Sequence, residues 1–239
     1  MKNLKKTVSL AMFVGALCLA GCSEAGDAAT DAKPQTAPQS EPAKAAKTGG
    51  AKASALGEET LAYPDDLQMT MLAYRLTGRQ PPLEDWAAEE YDVIRADEFN
   101  KAQKLAEETA RLAAIYEATE HVGYLQYRLR SQLSQYDGAK GGYYLTAFSP
   151  GQQTTFSGRE SVSVQLDNMS DAFFWAMGAA EAQEILAHTS RNVTIDVKVR
   201  LTGTERRSSG ILIKGRIAEY GVYSQRYNDE RLLAQFDLD

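Results

Sequence analysis

The chain has 239 residues, 44% of them hydrophobic, and sets 26 lysines and arginines against 32 aspartates and glutamates for a net charge of −6. That length suffices for one well-filled core once any leader is set aside. The charges are scattered and acidic on balance, without the basic stripe that a nucleic-acid interface needs, so nucleic acid is excluded as a partner.

Lys2, Lys5 and Lys6 open the chain, and an apolar run of about 13 residues from Val8 to Ala20 follows; a spanning helix needs roughly 20. These are the charged and apolar regions of an export signal. The run closes on Leu19-Ala20-Gly21-Cys22, which resembles the lipobox of bacterial lipoproteins, where a lipoprotein signal peptidase cuts just before the cysteine. The resemblance implies a signal peptide over residues 1–21, cleavage between Gly21 and Cys22, and lipidation of Cys22 by diacylglycerol and a fatty acyl chain such as palmitate. Each buried methylene contributes about 0.8 kcal/mol and stable anchoring takes two chains, so two or three hold a protein to a membrane essentially permanently. Ser23 follows, and in Gram-negative lipoproteins a serine there goes with transport to the outer membrane; the implied place is that membrane, facing the periplasm. Cys18 leaves with the signal and Cys22 is acylated, so no thiol remains for a disulfide, a zinc site or a nucleophile. Loss of residues 1–21 removes three lysines and no acid, leaving a charge of about −9.

Residues 22–56 read as the lipidated cysteine and a tether. The stretch is built from Ala, Lys, Asp, Glu, Gln, Thr and Gly with Pro34, Pro38 and Pro42, and its only large aliphatic is Leu56. Such a composition cannot bury enough apolar surface to offset chain entropy. As a flexible chain it would span about 30 Å.

Residues 57–239 read as a single α+β domain, helical over 64–120 and mainly β over 122–239. The spacing predicts a helix over 65–77 with Leu67, Met71, Tyr74 and Leu76 on its apolar side, ended by Gly78 and Pro81-Pro82, and a second over 83–94. A longer helix is predicted over 97–120, where Phe99, Ala102, Leu105, Ala106, Thr109, Leu112, Ala113 and Tyr116 recur as one buried stripe. On its outer face Lys104 with Glu108 and Glu107 with Arg111 stand four apart. Period-two alternation then takes over at 125–133, and further strands are predicted over 143–148, 161–166, 193–201, 211–217 and 232–236. A helical insert is predicted to hold Phe173, Phe174, Trp175 and Met177, to break at Gly178 and to resume over 179–188. One-sided alternation implies an antiparallel sheet of about five or six strands with one face solvated and the N-terminal helices packed on the other. Tyr220-Gly221-Val222-Tyr223 is similar to a segment of uncharacterised bacterial lipoproteins and implies no activity.

Chemistry-bearing patterns are sparse. His121 and His188 lie far apart, each at a predicted helix end where the dipole favours a histidine, and no calcium-loop pattern occurs, so neither a metal nor another cofactor is expected. No G-x-S-x-G elbow and no phosphate loop occurs. Glu160-Ser161 resembles the Glu-Ser pair of lytic transglycosylases, but Ser161 opens a strand rather than lying in a helical domain, and the residues that follow in that family are missing. Candidate ligand-binding residues are Tyr136, Tyr143 and Tyr144 around the glycine loop, which could stack on a sugar or peptide, and Arg206 and Arg207 at a hairpin tip, which could hold an anion.

The expected role is a membrane-anchored, non-enzymatic binding or accessory protein with an envelope protein as partner. The alternative is an envelope hydrolase working through acidic residues such as Glu117, Glu120 or Glu160. A deep cleft with two carboxylates about 5–9 Å apart would mark the hydrolase; an apolar patch or an open sheet edge would mark the binding protein.

Overall fold

Val193, Ile195, Val197, Val199 and Leu201 are all buried and their even-numbered neighbours are not, and this alternation makes the central strand of the sheet. The structure is a computed structural model that describes residues 56–224 and 230–238; the signal, Cys22 and nearly all of the tether lie outside the described residues. The elements in chain order are β1 (Glu59–Ala62), α1 (Asp66–Leu76), α2 (Leu83–Ala88), α3 (Tyr91–Ile94), α4 (Lys101–Glu117), β2 (Val122–Gln132), β3 (Gly142–Tyr144), a 3-10 turn (Thr146–Phe148), β4 (Gln153–Ser157), β5 (Ser161–Leu166), α5 (Met169–Ala172), β6 (Phe174–Ala176), α6 (Ala179–Thr189), β7 (Asn192–Arg207), β8 (Gly210–Ser224) and β9 (Leu232–Asp237).

Helices and strands are mixed, as expected, but the sheet is larger than five or six strands and not wholly antiparallel. Among the described residues it has seven strands in the order β1-β2-β7-β8-β5-β4, with β9 also on β8, and β3 and β6 form a separate two-stranded sheet. The β1–β2 and β5–β8 pairings are parallel. Strands β1, β4 and β6 are the additions. The β7–β8 hairpin runs well past its expected ends, through to Arg207 opposite Gly210.

The edge of β8 that faces away from β7 is shared. Its first half pairs with β5, from Val162 opposite Ile211 to Leu166 opposite Gly215. Its second half pairs with β9, from Glu219 opposite Asp237 to Tyr223 opposite Leu232. Between them the Asn168 side chain acts as a one-residue strand: its amide donates to Ile217 O at 3.0 Å and its oxygen accepts from Ile217 N at 2.7 Å. Asn168 is 6% exposed, so water does not satisfy these groups in its place.

Helix α1 is buried on two sides. Met69, Leu72 and Ala73 join the sheet core, whereas Met71 and Tyr74 join Trp86 and Ala87 of α2 and Leu112 and Tyr116 of α4 in a second core. Its start is fixed by a capping box, with Gln68 N donating to Asp65 and the Gln68 side chain accepting from Asp65 N. The tip of the β4–β5 hairpin clasps this layer. Arg159 binds Glu89, Glu90 and the Trp86 carbonyl. Glu160 accepts from the Tyr74 hydroxyl at 2.7 Å and pairs with Arg79. Gly158 lies so close to α1 that a Cβ there would stand 2.5 Å from Thr70 Oγ1 and 2.6 Å from Asp66 O.

Several expectations need correction. The 83–94 helix is split into α2 and α3 at Glu89 and Glu90, where both carboxylates turn to Arg159. The long helix begins at Lys101 instead of 97, because the Asp97 side chain accepts from Phe99 N and Asn100 N and holds a turn there. Its apolar stripe is core only toward the C-terminus: Leu112 and Tyr116 are buried, Ala102 and Ala106 are exposed, and Phe99 ahead of it is 86% exposed. The ion pairs on it are Lys104–Glu107 and Glu108–Arg111, three apart rather than four. The strand expected over 143–148 ends at Tyr144 and passes into the 3-10 turn. Phe174 and Trp175 lie on strand β6 rather than in a helix, since Trp175 pairs with Tyr143 and its ring meets Phe236 edge-on.

Asn168→Ala is expected to leave the Ile217 N–H and C=O buried and unpaired and to lower unfolding free energy by roughly 2–5 kcal/mol, read from urea denaturation. Gly158→Ala is expected to cost about 1–3 kcal/mol by overpacking against α1, with the same readout.

Candidate functional site

The sheet twists far enough to bring β2 toward β4. Tyr127 on β2 and Phe156 on β4 meet edge to face with ring centroids 6.2 Å apart, although β7, β8 and β5 separate them in strand order. Among the described residues the sheet does not close there. A cleft of about 230 Å³ opens between β2 and β4, lined by Leu129 and Arg130, by Thr146 and Ala147 of the 3-10 turn, by Gln152, Gln153 and Thr154, and by Val164, Leu166 and Met169. The floor is apolar and the rim polar.

Both strands present an open edge to this cleft. Gln126 O accepts from Tyr63 N, and Gln132 N donates to Thr146 Oγ1, so the main-chain groups of the even-numbered residues of β2 point away from β7. At one end β1 satisfies them and at the other the Thr146 side chain does. Between the two, the N–H and C=O of Arg128 and Arg130 have no partner among the described residues. On β4 the Ser157 N–H turns away from β5 to Asp66 Oδ1, so by the same alternation Gln153 and Thr155 also present their main-chain groups outward.

Tyr127 on β2 carries a buried polar atom. The residue is 4% exposed, and its hydroxyl has no hydrogen-bond partner among the described residues. Burial pushes its phenol above the usual range, and the neighbouring Thr154 side chain offsets a part of that rise. Thr154 lines the cleft, whereas the Tyr127 hydroxyl is buried and forms no part of its lining. Arg130 at the rim is exposed and has no ion pair among the described residues. Arg128, by contrast, is held over the Tyr63 ring and by Asp196 and Glu230.

The residues singled out from sequence lie elsewhere. Tyr143 is 2% exposed and donates to Ala182 O; Tyr136 donates to Met177 O and meets Tyr143 edge-on. Tyr144 lies between Phe173 and Phe174 and accepts from Lys140. The three therefore hold the glycine loop and the small sheet together rather than offering an open stacking face. Arg207 is paired with Glu205, which also holds Lys214, and Arg206 is exposed beside it. His121 lies past α4, where its carbonyl accepts from Glu59 N, and His188 lies in the last turn of α6. Cys22 and Gly21 are outside the described residues. Among the described residues no group of three or more His, Cys, Asp or Glu is placed to hold a metal ion.

The carboxylates do not converge on the β2/β4 cleft. Glu160 is engaged by Tyr74 and Arg79, Glu117 by Arg75, and Glu120 lies exposed in the turn after α4. A second, larger cleft of about 400 Å³ between α3 and α4 does hold acids, with Glu90, Asp92, Glu107 and Glu108 beside Lys104 and Arg111. Hydrogen bonds from Gln103 and Lys104 lower the Glu107 pKa, and one from Arg111 lowers that of Glu108. Neither is tuned as a proton donor, which requires the opposite shift.

No family model, curated protein or solved structure matches this chain. The site therefore rests on its own geometry. Sequence reasoning missed it because its parts come from distant segments. Leu129 reads as one more apolar position in an alternating strand. Gln153-Thr154-Thr155-Phe156 carries a strand signal in its threonines and phenylalanine that passes unnoticed beside longer runs.

Tyr127→Phe is expected to be neutral or to raise the stability of the ligand-free protein by up to about 1 kcal/mol, since it removes an unpaired buried hydroxyl. A loss of more than about 1 kcal/mol in thermal or urea unfolding would mean that the hydroxyl has a structural partner.

Proposed function

We propose that this chain is a bacterial envelope lipoprotein, cut before Cys22 and lipidated there, whose folded part is a non-enzymatic binding or accessory protein that receives a partner in the cleft between β2 and β4. The observation that carries the binding role is that cleft: an apolar floor, two strand edges open among the described residues, and no carboxylate in its lining. Such a site offers recognition groups and no acid–base pair. The exposed apolar side chains Tyr91, Ile94 and Phe99 around α3 add a second surface of the kind that partner proteins cover.

The anchoring part rests on Leu19-Ala20-Gly21-Cys22 and the regions before it, and Ser23 supports the outer membrane as destination. Among the described residues no helix is long and apolar enough to cross a membrane. The hydrolase reading would need two carboxylates to face one substrate; the acids suggested for it are each engaged by a separate arginine or exposed.

In cells, the wild-type chain is expected to take up labelled palmitate and to sediment with membranes, and Cys22→Ala to do neither. A photo-crosslinking residue at Gln152, on the cleft rim, is expected to give one dominant adduct that the same residue at Thr194, on the outer face of β7, does not give. Palmitate uptake by Cys22→Ala would overturn the anchor. Equal adducts from the two positions would overturn the binding site.

A further inference from the structure

The open strand edges also say what chemistry the cleft takes. A stretch of sheet edge with free N–H and C=O groups is a template for another strand, and folded proteins normally shield it with short length, proline, charge or a covering element. Here the ends of the β2 edge are shielded in that way. Strand β1 covers Val122 to Gln126, and beyond them the Thr146 hydroxyl takes the Gln132 N–H and the Ser131 hydroxyl takes the Ala147 N–H. Among the described residues the stretch between, Arg128 and Arg130, is left open, and Arg130 lines the same cleft as Gln153 on the open edge of β4.

We infer that the cleft binds an extended peptide segment of a partner protein, which adds as a strand between β2 and β4 and closes the sheet. This rests on the binding role proposed above and names the class of ligand. The main-chain groups of Arg130 on one side and of Gln153 and Thr155 on the other supply the ladder, which recognises any extended backbone. Alternate side chains of the guest point inward, onto the floor of Leu129, Val164, Leu166 and Met169, so one apolar residue is required there. The outward neighbours meet Arg130, whose guanidinium has no ion pair among the described residues, so an acidic residue is favoured beside the apolar one. The volume of about 230 Å³ is below the roughly 300–1,000 Å³ of sites built for small molecules. It suits a narrow chain that enters and leaves along the slot.

The test uses the full chain and a synthetic library of random octapeptides, acetylated and amidated at their ends. Selected peptides are expected to share one apolar residue with an adjacent acid and to bind with micromolar Kd. Each is expected to slow hydrogen exchange of the Arg128, Arg130, Gln153 and Thr155 amides by at least tenfold. N-methylation along the peptide is expected to weaken binding tenfold or more at every second position and little in between. Arg130→Pro and Thr155→Pro each delete one outward N–H while the bonds to β7 and β5 use the other residues, a place where an edge strand accepts proline; each is expected to weaken binding tenfold without loss of fold, and the second variant serves where the first does not fold. Several results would overturn the inference: no peptide selected, binding indifferent to N-methylation, or edge amides already protected before peptide is added. A non-peptide molecule that shifts Tyr127 and Thr154 signals without protecting the edge amides would sink the strand inference and leave the binding role standing. The absence of any ligand in the cleft, combined with equal photo-adducts from Gln152 and Thr194, would sink both.

Discussion

Every main-chain polar group buried along β8 must find a partner, and the way its outer edge is satisfied governs the rest of the domain. One neighbour cannot cover a strand of this length, because β5 leaves at Leu166 and β9 arrives only at Glu219. The Asn168 amide fills the interval with a donor and an acceptor in the right places. A side-chain amide is the one neutral group that reproduces both halves of a peptide unit. With this join in place β5 is fixed beside the first half of β8, and β5 carries β4 with it. The position of β4 then determines where the sheet stops, and so where the cleft lies. The place of the cleft and the core architecture depend on the same buried residue.

The helical layer depends on the sheet in turn. Helix α1 buries apolar side chains on two sides and forms a wall between two cores. The β4–β5 tip reaches into that layer with Gly158, Arg159 and Glu160, and each makes a different kind of contact: close approach, charge and hydrogen bond. Arg159 also lies over the Trp86 ring, and the Tyr74 ring meets the same tryptophan edge-on at 5.5 Å. These contacts tie the strand whose other edge is open to the most buried helix. The open edge of β4 is thus held rigidly, and a preformed edge loses less entropy on binding than a mobile one. The Glu160 carboxylate, which from its Ser161 neighbour invites a catalytic reading, is part of this clasp.

The outward face of the sheet is occupied differently. Tyr63, Gln126, Arg128 and Asp196 form a hydrogen-bonded group there, and Lys198 pairs with Glu219. Tyr63 has a positive φ of 49°, and its ring and hydroxyl lie over this face where β1 ends. Such a polar face explains how an alternating sheet with one covered side remains solvated on the other.

Much of the fold was legible because periodicity is a local property. The alternation of Val193 to Leu201 and of Val162 to Leu166, and the helical run at Asp66–Leu76, needed no knowledge of their neighbours. The one-sided burial of β7 from Val193 to Leu201 followed from the same pattern. The errors came where a distant residue decided. Glu89 and Glu90 end a helix because Arg159 lies some seventy positions away, Trp175 is a strand residue because Tyr143 is opposite it, and Phe99 is exposed because nothing among the described residues comes to cover it. The cleft belongs wholly to this second kind. Whether an N–H is free depends on which strands arrive beside it. Neither Arg130 nor Thr155 carries a mark of that in the sequence, because main-chain donors are the same for every residue and only the tertiary arrangement decides which of them are left unpaired.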